Sequence, residues 1–269
     1  MTVPRPQISL PGAFRRPPRP RLSRRASGFV GGLAVFVGLV LLFDAVITVV
    51  WEDPFTTVFT QQEQKALGKK LAAAESAPLP PSTLALVRRA GSEWERMAVL
   101  GAHERTSAQA GDPLGRISIP RTDNSFVFIE GTGTESLKKG PGHYAGTALP
   151  GERGTVSIAG HRTTYAAPFR ELNNLNKGDP ITLTMPYGKF VYSVEGSRAV
   201  PPTQTTVLGV VHYDRLVLTT CTPLGSADKR LVVTARLKRA TPRGPAIKLV
   251  PVPPSAPQWS TGGPVSAPG

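Results

Sequence analysis

The chain has 269 residues, 28 prolines, 27 glycines, one cysteine and a formal charge of +14. A single cysteine excludes any intramolecular disulfide, and with it a disulfide-stapled secreted module. The charge is too unevenly spread for a nucleic-acid-binding domain, because it sits in an N-terminal arm and one later segment with a neutral stretch between them.

Residues 1–27 carry seven arginines and no acid, and read as a disordered basic tail. Residues 28–51, "GFVGGLAVFVGLVLLFDAVITVVW", have the length of a bilayer-crossing helix. Fifteen Leu, Ile, Val and Phe side chains there outweigh one acid, Asp44, which lies toward the far end of the run. Arginines before the run and balanced charge after it put the N-terminus in the cytoplasm and the rest outside, anchored to the lipid bilayer through Gly28–Trp51. The run is too long for the apolar core of a cleaved signal peptide, so an uncleaved signal anchor is expected. This accounts for the arginine arm without nucleic acid. Gly28 and Gly32 have the spacing of a helix-dimer face, a common pattern in membrane helices that carries little by itself.

Residues 52–110 read as a polar extracytoplasmic helical stalk, in two stretches, "TQQEQKALGKKLAAAE" and "TLALVRRAGSEWERMAVLGAHERTS". Pro78, Pro80 and Pro81 separate them. Val87, Ala90, Trp94, Met97 and Ala98 recur at helical spacing, as in a stalk or a helix packed on a domain.

From residue 111 the period shortens. "LGRISIP", "SFVFIE", "GTVSIAG", "DPITLTM", "KFVYSVEGSRAV", "RLVLTT" and "RLVVTARL" are short strands punctuated by Gly and Pro. Seven or eight strands within 111–240, with brief helical inserts at "TESLKKG" and "PFRELNNL", argue for a mostly β domain, a compact barrel or sandwich. In "GTGTES" the third glycine of a dinucleotide fingerprint is missing, and Thr134 reads as a helix cap. Residues 241–269 are rich in Pro, Gly and Ser with two charges, and read as a disordered tail.

Cys221 follows "RLVLTT", where a strand stops and a loop begins. By itself it reads more readily as a small buried residue than as a nucleophile, and context must decide. Eight loop residues later Arg230 opens the next strand; if the two strands are neighbours, its cation returns beside the thiol, where it lowers the thiol pKa or holds an oxyanion. The alternative is a surface arginine. His161 stands at the end of "TVSIAG" in the same setting, a strand that ends abruptly in a reactive side chain. The other histidines, His103, His143 and His212, have no metal-ligand spacing, so no metal and no cofactor is expected. His143 reads as structural.

"LTTCTP" followed by "RLVV", with "AGHR" upstream and a basic membrane anchor, resembles the sortases, the cysteine transpeptidases of Gram-positive cell surfaces. "GHRTTYAAPF" and "LKKGPGHYAGTALPGERG" are most similar to the actinobacterial class E. The resemblance implies an eight-stranded β-barrel with short helices over 111–240. It also implies Cys221 as nucleophile, His161 as general acid/base and Arg230 as the residue that positions substrate and stabilises the oxyanion. Thr220, Thr219, Tyr144 and Tyr165 would line the groove for a sorting signal of LAXTG or LPXTG type. The partners implied are surface proteins bearing such signals and an amine of a peptidoglycan precursor or a pilin.

Two other classes remain open at this stage. Another cysteine wall peptidase is disfavoured by the order of the residues, since His161 precedes Cys221 by sixty positions. A non-catalytic wall-binding module would use the sixteen basic against ten acidic residues of 110–240, but leaves Cys221, His161 and Arg230 without a purpose.

Overall fold

The structure is a computed structural model that describes the backbone of residues 24–50 and 54–244, and the side chains of 30–44 and 56–244. The expected disordered segments, most of 1–27 and all but the first residues of 241–269, lie outside the described residues. The chain divides into two units, residues 1–45 and 46–269.

Helix α1 runs over Arg24–Val50, most of it in the first unit. Its side chains over 30–43 are apolar and exposed, Leu33 at 61%, Phe36 at 64% and Phe43 at 67% among them. Among the described residues no helix is long and apolar enough to cross a membrane.

The second unit begins with α2 (Pro54–Ser76), α3 (Pro81–Arg89) and α4 (Glu93–Ser107). The proline cluster separates α2 from α3, with Pro81 opening the latter. The second helical stretch is two helices, because Ser92 caps a fresh start: its hydroxyl accepts from the Glu95 N–H at 3.2 Å, while the Glu95 carboxylate takes the Gly91 N–H at 2.6 Å.

Eight strands follow: β1 (Pro113–Ile119), β2 (Asn124–Glu130), β3 (Gly142–His143), β4 (Thr155–Ala159), β5 (Pro180–Met185), β6 (Gly188–Val200), β7 (Arg215–Thr222) and β8 (Lys229–Pro242). Helix α5 (Thr134–Leu137) lies between β2 and β3. The strands close into a barrel in the order β1-β2-β3-β4-β7-β8-β6-β5. Seven strands match runs read from the sequence; β3 is a two-residue pairing too short to leave a period. Two local expectations are corrected. Gly133, not Thr134, occupies the α5 N-cap position, without a side-chain cap. Cys221 lies inside β7 rather than beyond its end, because pairing with β8 carries the strand on to Thr222.

Alternation along the strands fills the barrel with Ile117, Phe128, Ile158, Leu183, Phe190, Tyr192, Leu216, Leu218 and Val233. Two smaller clusters lie outside it. Val200, Val207, Val217 and Val232 form one. In the other, Leu67 and Leu71 of α2 bury Val127 and Ile129 of β2. Gln64 of α2 fastens this contact: its Oε1 accepts from the Val127 N–H at 2.7 Å, and its Nε2 donates to the carbonyls of Val127 and Lys139, both at 2.9 Å. Thr60 adds a bond from its hydroxyl to the Lys138 carbonyl at 2.9 Å. Helix α2 is therefore built onto the barrel wall.

Candidate active site

β4 and β7 pair in parallel, Ala159 opposite Thr219, and β7 and β8 pair antiparallel, Thr219 opposite Val232 and Cys221 opposite Arg230. The β4 register continues past the strand end, since the Gly160 N–H donates to the Thr219 carbonyl at 3.1 Å and the Thr220 hydroxyl to the Gly160 carbonyl at 2.8 Å. His161 is thus delivered level with Cys221. Alternation decides which face they share. Leu216 and Leu218 of β7, and Val156 and Ile158 of β4, point into the core. Thr219, Cys221, Ala159 and His161 therefore face outward, as do Val232 and Arg230 on β8. His161, Cys221 and Arg230 stand in one row across three adjacent strands, above a floor of Ala159, Thr219 and Val232. The row joins residues sixty and nine positions apart in the chain.

Cys221 is a half-buried free thiol. His161 is half-buried as well, and burial holds its pKa below the usual histidine value, so the imidazole is neutral at neutral pH. Its Nε2 is buried without a hydrogen-bond partner among the described residues. The ring lies against Tyr165, centroids 5.1 Å apart and planes tilted by 35°. Arg230 is opposite Cys221, at the separation of about 5 Å between Cβ atoms that direct cross-strand neighbours have. Its Nη1 donates to the carbonyls of Ala227, in the turn before β8, at 3.0 Å and of Lys229, the first residue of β8, at 3.2 Å.

Of the four expected groove residues, Thr219 and Tyr144 come together on the floor, joined through their hydroxyls at 2.8 Å. Thr220 lies behind Cys221 with its hydroxyl committed to Gly160, which ties the β4 extension to β7. Tyr165 packs between His161 and Phe59 of α2, the latter edge-on at 6.5 Å and 75°. His143 is structural, as read: it is buried, with Nδ1 at 2.8 Å from the Glu130 carboxylate and Nε2 near the Thr147 hydroxyl and the Ala148 carbonyl.

Arg162 was not singled out from the sequence. Only 9% exposed, it donates through Nη1 to the Cys221 carbonyl at 3.2 Å and the Thr222 hydroxyl at 2.8 Å. Its Nη2 reaches Asn173 at 2.8 Å and its Nε the Arg170 carbonyl at 3.2 Å. Its fork ties the end of β7 to the loop after His161, joining the Cys221 and His161 segments. Burial and then Arg170 lower the Arg162 pKa, and Cys221 works in the opposite direction.

A free thiol, a neutral imidazole and a guanidinium on one face are the groups that acyl transfer through a covalent cysteine intermediate requires. Residues 117–238 match the family model described as Sortase domain. The chain is 34% identical over 129 residues to Sortase D of Bacillus subtilis, covering 46% of this chain and 64% of that protein. It is 31% identical over 159 residues to Sortase SrtE1 of Streptomyces coelicolor, covering 53% and 45%. It therefore spans between about half and two thirds of the length of these curated relatives. The solved structure of sortase C from Clostridium perfringens is similar in fold, with a TM-score of 0.50 at 21% identity over 66% of this chain and 99% of that one. The three residues of the row lie inside this matched segment, so it is through residues 117–238 that the chain is similar to the sortase family.

Proposed function

We propose that the protein is a membrane-anchored cysteine transpeptidase that cleaves a C-terminal sorting signal between Thr and Gly and transfers the severed protein to a cell-wall amine. The observation that carries this reading is the row of His161, Cys221 and Arg230 across β4, β7 and β8. His161, neutral through burial, accepts the Cys221 proton as the sulfur attacks the threonyl carbonyl carbon. Arg230 turns from the carbonyls of its turn to the developing oxyanion. As the C–N bond breaks, the imidazolium gives its proton to the departing glycine amine, leaving a thioester on Cys221. An amine of a peptidoglycan precursor or pilin then attacks the thioester, its proton passes to His161, and the sulfur leaves and recovers a proton from the ring. Thr219 and Tyr144 line the groove beside the thiol.

Gly28–Trp51 is the proposed signal anchor, with residues 1–27 cytoplasmic, 52–110 helical and extracytoplasmic, the catalytic domain over 111–240, and a Pro-rich tail after it. The length and apolarity of 28–51 and the seven arginines ahead of it support this topology. Class E, and with it Ala at the second position of the signal, is supported by the "GHRTTYAAPF" resemblance and the similarity to SrtE1, against a comparable similarity to Sortase D.

The full chain, incubated with a Leu-Ala-x-Thr-Gly peptide and hydroxylamine, should yield a threonyl hydroxamate and release the glycine side. Cys221→Ala should abolish the product, and Arg230→Ala should cut kcat/KM by about 10² or more with folding intact. Reaction of Leu-Pro-x-Thr-Gly alone would refute the class. No cleavage of either peptide, and no mass shift on Cys221, would refute the enzyme.

A further inference from the structure

Three consecutive residues after the histidine, Tyr165, Ala166 and Ala167, hold φ of 56°, 56° and 36°. None is Gly, Asn or Asp. A left-handed conformation costs such residues about 1–2 kcal/mol each, so the run persists only where its surroundings enforce it. Within the loop, Ala167 N–H bonds the Thr164 carbonyl and Phe169 N–H the His161 carbonyl, both at 3.0 Å. At Tyr165, however, the enforcing contacts come from 109 residues away. The Tyr165 N–H donates to the Thr56 hydroxyl of α2 at 2.8 Å, and the Tyr165 ring is covered by Phe59, one turn further along the same helix. The other face of this arrangement is the His161 ring, 5.1 Å from Tyr165. α2 has a fixed position from which to act, since Thr60, Gln64, Leu67 and Leu71 fasten it to the barrel.

We infer that the first turns of α2 are a positioning element for the catalytic histidine: Thr56 and Phe59 hold Tyr165 in its left-handed conformation, and Tyr165 sets the tilt and burial of the His161 ring. Thr56 and Phe59 are positioning residues, acting through Tyr165. The inference rests on the transpeptidase reading for its kinetic consequence but not for its structural one.

The two are separated by measuring both on the full chain. Thr56→Val removes the acceptor while keeping the shape, Thr56→Ser retains it, and Phe59→Ala removes the covering ring from a side chain already 43% exposed, so the fold survives. In Thr56→Val and Phe59→Ala, kcat for hydroxylamine capture should fall about tenfold with KM little changed, as misplacement of a catalytic group requires. The NMR signals of the His161 ring, assigned by their loss in His161→Gln, should shift away from their wild-type positions. Thr56→Ser should restore both. Wild-type kcat in both variants, or unmoved His161 signals whatever the kinetics, overturns the inference. If the wild type cleaves no sorting peptide, the transpeptidase reading fails, and the His161 signals still decide whether α2 positions the ring.

Discussion

Gly160 is the hinge through which β4 hands His161 to the site, and Gly160→Ala tests how closely that hinge is packed. An added Cβ would lie 2.6, 2.9 and 3.0 Å from Cδ2, Cγ and Cε2 of Phe169. Carbon atoms rest at about 3.5–4.0 Å, so ring or backbone must retreat by roughly 1 Å. Phe169 is 1% exposed and part of the barrel core, which leaves it no free volume, and its N–H is bonded to the His161 carbonyl. Overpacking of this kind costs about 1–3 kcal/mol, or roughly 3–10 °C of Tm in a domain of this size. The retreat also drags the 161–169 loop, and a displacement of about 1 Å at the imidazole costs on the order of 10² in kcat. Thermal melting and hydroxylamine capture should therefore both register Gly160→Ala at a temperature where the variant is folded. Adding Phe169→Leu, which vacates the space, should recover part of the activity, a non-additivity expected only of groups in contact. A Gly160→Ala protein with wild-type Tm and kcat would refute the packing argument.

Arg162→Ala should lower stability by about 1–3 kcal/mol, because it removes the partly buried bonds from this buried side chain to Arg170, Asn173, Cys221 and Thr222; Arg162→Lys, lacking the fork, should not rescue it, and melting curves decide. Since burial lowers the His161 pKa, the acid limb of kcat/KM should have its midpoint below 6.5, activity surviving to lower pH than an ordinary histidine allows; a midpoint above 6.5 would contradict the neutral base. The same sign makes stability fall as pH drops through 6.5, because the unfolded chain takes up the proton first. Burial, with Asp112 nearby, pushes the Glu104 carboxyl from 4.5 up to about 7, so its stabilising contribution is complete below 4.5 and lost as pH rises through about 7. Glu104→Gln should flatten Tm against pH across that window, and an unchanged slope would show that Glu104 is solvated.

The strands and the alignment of His161, Cys221 and Arg230 were legible because they rest on short-range signals. Period-two runs mark β4, β7 and β8, and each reactive side chain stands at or near the end of such a run. Adjacency of β7 and β8, read from an eight-residue loop, was enough to bring Arg230 back to Cys221. Contacts made by residues that look ordinary were not legible. Gln64 reads as one polar residue of a solvated helix, yet its partner on β2 lies 63 positions away. Tyr165, Ala166 and Ala167 lack the residue types that announce positive φ, so their strain has no signature in the chain. Arg162 reads as the neighbour of a histidine, and its four bonds arise only when β7 and the 170–173 loop converge on it. Thr220 was expected in the groove because it precedes the cysteine, but strand alternation turns it inward.

β2 and β3 pair at only Ile129 and Glu130, so the rest of that side of β2 would be an open edge carrying free donors and acceptors. At Val127 the Gln64 amide presents one acceptor and one donor to the N–H and C=O, the pattern a neighbouring strand would offer. A side chain here impersonates a strand, and the impersonation occupies the rung on which an extended peptide could otherwise zip onto the sheet. For a protein whose proposed substrates are themselves extended peptides, this closes the Val127 rung of the edge to them.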